Sequence, residues 1–124
     1  MQKYTLLLGA ILAALAVGLG AFGAHALQDF LEQTGRSETY ETAVKYQFYH
    51  SLALLLLGIL MFRVNDVLLQ YAGVSLVLGI LLFCGSLYLI CFTGFSKLGM
   101  VAPVGGLLFI LGWLLLAAGI YRGL

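Results

Sequence analysis

Charge is what this chain has least of. Lys, Arg, Asp and Glu make up 9% of its 124 residues, against roughly 25% in soluble domains. The formal net charge is +1 and no cluster of basic residues appears, so nucleic-acid binding is set aside. Pro103 is the single proline, which excludes a string of rigid turns. Cys84 and Cys91 are the only cysteines. They stand about 10 Å apart along a helix axis, too far for a mutual disulfide. Without a Cys-x-x-Cys pair a thiol redox enzyme is also disfavoured, and ordinary buried thiols are expected. No Asp or Glu interrupts the long apolar stretches. Proton-coupled and cation carriers depend on such membrane-buried carboxylates, so the pattern argues against a transporter.

What the chain has instead is hydrophobicity, at 63% of residues, gathered into four runs at about 4–26, 46–62, 67–92 and 101–121. Each is long enough for an α-helix to cross roughly 30 Å of hydrocarbon. None alternates with period two, so a β-barrel does not fit. The pattern predicts an all-α fold: one domain over 1–124, an integral membrane bundle of four antiparallel transmembrane helices. Lys3, the first run and Ala24-His25-Ala26 have the look of a secretory signal with a cleavage site. The run exceeds the roughly 7 to 15 residues of a signal core, and a retained helix is expected.

Most of the charge lies between the first two spans, at about 28–45. Leu27, Phe30, Leu31 and Thr34, then Tyr40, Val44 and Phe48, fall at helical spacing, so both spans are expected to continue into a polar helical hairpin. Gly35 suits the end of the first arm and Ser37 a cap for the second, with Glu38 and Glu41 near its positive end. A turn at Arg36 and Ser37 would set His25 level with His50, and Asp29 beside Lys45. Pro103 fits the first turn of the last helix. Lys3, Arg63 and Arg122 share one membrane face and Arg36, Lys45 and Lys97 the other, a tie under the positive-inside rule. The expectation adopted is that both termini are cytoplasmic.

Lipid tails are as apolar as leucine, so the helices need close backbone approach rather than hydrophobic burial to associate. Small residues recur every seven positions: Gly9, Ala16 and Gly23; Ser51 and Gly58; Ala72, Gly79 and Ser86; Gly105, Gly112 and Gly119. Such a repeat keeps one face in register along a left-handed crossing and predicts a tight bundle without a wide pore. Ser75, Ser86 and Tyr88 are expected to hydrogen-bond between helices.

His25 and His50 are the only histidines. Facing imidazoles could hold a metal or a haem. The favoured reading is plainer: His50 sits among Tyr40, Tyr46, Phe48 and Tyr49, the pattern of an aromatic belt at a membrane surface. Two histidines also fall short of a structural metal's ligand count. No cofactor is therefore expected.

Several segments carry a resemblance across the whole chain: Gly20-Ala21-Phe22-Gly23-Ala24-His25-Ala26-Leu27, Tyr46-Gln47-Phe48-Tyr49-His50-Ser51-Leu52-Ala53, Gly85-Ser86-Leu87-Tyr88, Ala102-Pro103-Val104-Gly105-Gly106 and Gly112-Trp113. In this order they resemble the small four-span family named domain of unknown function 423, which includes bacterial inner-membrane proteins and the mitochondrial transmembrane protein 256. The resemblance implies a bacterial inner-membrane location and brings no activity with it. The function expected is that of a non-enzymatic accessory, assembly or self-associating component, its partners the lipid bilayer and either a larger membrane complex or further copies of itself. The alternative is a protein that binds a cofactor, metal or small solute between His25 and His50.

Overall fold

The computed structural model describes all 124 residues and holds helices and turns but no strand. The first span is α1 (Gln2–Ala24) and a short α2 (Gln28–Thr34) follows it. The second is α3 (Ser37–Leu60). The third joins α4 (Val67–Gly79), a π turn (Ile80–Cys84) and α5 (Gly85–Thr93) into one continuous rod, and the fourth is α6 (Ala102–Gly123), entered through a 3₁₀ turn (Ser96–Met100). The four spans are long and apolar enough to cross a membrane.

Local chemistry sets the joints. Asp66 opens α4, its carboxylate accepting from the Leu68 amide at 2.8 Å, the usual way a short acid satisfies an orphan helix-end donor. Its other oxygen meets Arg122 Nε at 3.2 Å, tying that joint to the end of α6. Pro103 lies in the first turn of α6. Gly35, at φ +69°, ends α2 in the left-handed region, where a residue without Cβ is favoured. Ser37 differs from its expected role: it is the first helical residue of α3 and its side chain caps nothing.

The spans pack as two antiparallel pairs, α1 on α3 and α4 on α6. The second pair joins the first mainly through α3, which lies against the π turn and α5. The core runs down the middle through Leu54, Leu57, Ala72 and Leu76, all 0% exposed.

The polar hairpin is helical, but its first arm is not a continuation of α1. The chain leaves the helix at His25 (φ −124°, ψ −80°) and starts again as α2. The gain is burial beyond the end of the span: Leu31 packs with Tyr40 and Cys91, and Phe30 stacks on Phe92 at 6.5 Å. This detour shifts the register of the first two spans. Gly23 meets Tyr40, Gly20 meets Val44, and Gly9 meets Leu55. By that register His50 lies about 18 Å further along the axis than the part of α3 beside His25, at 1.5 Å per residue. The expectation that the two imidazoles face each other is therefore corrected, and so is the pairing of Asp29 with Lys45, because Arg122–Asp66 is the only ion pair.

Candidate functional site

α3 carries Gln47, His50 and Ser51 at i, i+3 and i+4, a spacing that places them on one helix face. They are 4%, 5% and 0% exposed. Buried polar groups in an apolar bundle are costly unless hydrogen-bonded, and each of these is. Gln47 Nε2 donates to the Leu12 carbonyl of α1 at 2.9 Å. Its Oε1 accepts from the Tyr88 hydroxyl of α5 at 2.7 Å. Ser51 Oγ donates back to the Gln47 carbonyl at 2.5 Å.

His50 of α3 ties α6 into the hub. Its Nδ1 is 2.7 Å from the Tyr46 carbonyl, which can only accept, and the Trp113 indole N–H donates to Nε2 at 3.1 Å. The two bonds require the neutral Nδ1–H tautomer. The ring also stacks on Phe109, with centroids 3.6 Å apart and planes 12° apart. His50 thus lies inside the bundle midway along α3, not in an aromatic belt at the surface as its neighbours in sequence suggested. Both of its ring nitrogens are engaged, so any ligation through Nε2 would first have to break the Trp113 bond. His25 is exposed at the end of α1, and no three His, Cys, Asp or Glu side chains converge anywhere.

The small residues lie as follows. A Cβ on Gly105 would collide with the backbone of Phe83. One on Gly79 would come within 3.2 Å of the Gly105 carbonyl, and one on Gly112 within 2.7 Å of Leu76 and 3.4 Å of the Ala72 carbonyl. One on Gly119 would come within 2.7 Å of Leu69. In the other pair, a Cβ on Gly9 would come within 3.0 Å of the Ser51 carbonyl, while Leu6 packs at Gly58 and the Tyr40 ring at Gly23. Ala16, Ala72 and Ser86 are buried. Of the expected interhelical donors, Ser75 reaches the Leu108 carbonyl of α6 at 2.6 Å and Tyr88 reaches Gln47. Ser86 instead bonds the Phe83 carbonyl of its own span. Gln47 and Trp113 figure in the sequence only within the segments of the family resemblance, with no role attached. The signal was available for Gln47, as the one amide in the second apolar run, spaced to share a face with His50 and Ser51.

The fold and its internal polar hub define a multi-pass membrane protein in which a four-helix bundle is tied by hydrogen bonds across its centre. The family model "Protein of unknown function (DUF423)" matches residues 19–106, and the chain belongs to that family. It is similar to a UPF0382 membrane protein of Staphylococcus haemolyticus, 41% identical over 121 residues that cover 98% of each chain. A relative from Staphylococcus epidermidis is 45% identical over 93% of each chain. The UPF0382 membrane protein YwdK of Bacillus subtilis is 40% identical over 93% of this chain and 94% of its own. No solved structure matches.

Proposed function

We propose that this protein is a non-enzymatic membrane component that works by contact with other membrane-embedded chains, as an accessory or assembly partner of a larger complex or through self-association. The observation that supports this reading is the use of the buried polar groups. Gln47, His50, Tyr88 and Trp113 are engaged in joining helices, and no buried side-chain N or O atom lacks a partner. The interior is thus organised as a set of joints. α1 packs chiefly on α3 and a Cβ on Gly18 would meet nothing within 4 Å, a place where another backbone can approach closely.

Chemical crosslinking in native membranes, followed by purification in mild detergent, tests the proposal. A discrete crosslinked species and a colourless, metal-free preparation are the expected results. A lone monomer with no co-purifying chain would overturn the association, and a Soret band or stoichiometric metal would favour the cofactor alternative instead.

We also infer a location in the bacterial inner membrane with both termini in the cytoplasm. At the terminal end Lys3, Arg63 and Arg122 are opposed by Asp66 alone. At the hairpin end Arg36, Lys45 and Lys97 are opposed by Asp29, Glu32, Glu38 and Glu41. Lys and Arg are tied at three on each end and acidic residues weigh little in topology; the reading rests on the terminal end carrying the higher net positive charge beside the anionic cytoplasmic leaflet. Reporter fusions after Leu124 that are active only in the cytoplasm are the expected outcome.

A further inference from the structure

A cavity of about 440 Å³ opens where α1, α2 and α3 meet at the hairpin end, within the size range of small-ligand sites. Gly20, Gly23 and Val44 form its apolar floor, and Glu32 of α2 with Glu41 and Lys45 of α3 are among its polar walls. The only ion pair in the protein lies at the opposite end, so these three charges have no ionic partner within the chain. The glycines let α1 close tightly on α3 along one side of the cavity. A Cβ on Gly20 would already come within 3.3 Å of Val44, and one on Gly23 would run into the Tyr40 ring.

The order of the charges along α3 is informative. α3 runs from Ser37 towards the apolar run that begins near Tyr46, so Lys45 lies one helical turn nearer that run than Glu41, about 6 Å at 1.5 Å per residue. A phospholipid headed by an amine has the same order, its phosphate nearest the acyl chains and its ammonium beyond. We propose that this cavity binds the headgroup of an aminophospholipid. Lys45 takes the phosphate, Glu32 and Glu41 take the primary ammonium, and the acyl chains lie along the apolar surface of α1 and α3. Charge-assisted hydrogen bonds of this kind are the strong ones. An anionic headgroup without an amine would set its charge beside two carboxylates, and a choline has no N–H to donate to them.

Native mass spectrometry of protein taken from vesicles of equal phosphatidylethanolamine, phosphatidylcholine and phosphatidylglycerol tests the site. One retained phosphatidylethanolamine is expected, favoured over the other two on the order of ten-fold. The double variant E32Q/E41Q should lose that preference, and K45M should lower retention of phosphatidylethanolamine by a similar factor. All three side chains are exposed, so the fold should survive, as circular dichroism will check. If the double variant unfolds, E41Q and K45M alone carry the test. Equal retention of the three lipids, or an unchanged preference in the folded variants, would overturn the proposal. So would free phosphoethanolamine displacing the lipid at equal concentration, which would assign the cavity to a soluble zwitterion.

Discussion

Between the third span and α6 the closest approach is backbone to backbone, Gly105 on Phe83 of the π turn, while Gly79, Gly112 and Gly119 receive the side chains of Phe109, Leu76 and Leu69. Between α1 and α3 large side chains fill the glycine positions, Tyr40 at Gly23 and Leu6 at Gly58, and the one close backbone approach is Gly9 on Ser51 and Leu55, looser than that of Gly105. Hydrogen bonds then hold that pair: Gln47 to the Leu12 carbonyl and the Tyr40 hydroxyl to the Leu19 carbonyl. Both arrangements follow from a solvent that gives helices no hydrophobic reason to associate. The first has a single such hydrogen bond, Ser75 to the Leu108 carbonyl, and otherwise relies on dispersion over a close interface that tolerates little added volume. The second relies on directional bonds and tolerates a missing group better than a misplaced one.

Substitutions can break this comparison in order of severity. Gly105→Leu should be the most damaging, at about 3 kcal/mol or more, because a fixed backbone stands where its Cβ must go. Gly112→Leu should cost about 1–3 kcal/mol, since the obstacle is the side chain of Leu76, itself wholly buried and slow to yield. Gln47→Leu removes two interhelical bonds and should cost about 1–2 kcal/mol. Each is measured by SDS-induced unfolding in mixed micelles followed by circular dichroism. A Gln47→Leu loss exceeding that of Gly105→Leu would reverse the contrast between the pairs. Gly18→Ala meets open space and should leave stability unchanged or raise it by up to about 1 kcal/mol in the same assay.

Span number and order were legible in the sequence because hydrocarbon thickness fixes helix length, and apolar runs of that length have few other uses. The hairpin register was not. It depends on α1 stopping at His25, and Ala24-His25-Ala26 contains neither the proline nor the glycine that would announce a break. The break comes from burying Leu31 on Tyr40 and Cys91, contacts made with residues further along the chain. The same holds for His50. Its local company of tyrosines reads as a surface belt, whereas its actual neighbours, Phe109 and Trp113, arrive from a helix about sixty residues later. The polar face of Gln47, His50 and Ser51 was visible as a spacing, but the groups that satisfy it were not.

The π turn at Ile80–Cys84 gives the third span a property that no straight helix of its length would have. An extra residue in a turn advances the phase of everything beyond it by about 100°. Before the turn the rod faces α6 through Ala72, Leu76 and Gly79; after it α5 lies chiefly against α3, where Tyr88 reaches Gln47. The turn works as a coupling that rotates one shaft relative to itself, so a single span can mesh with two partners set at different angles. The number of residues between Ile80 and Cys84 is therefore as much a part of the architecture as their identity.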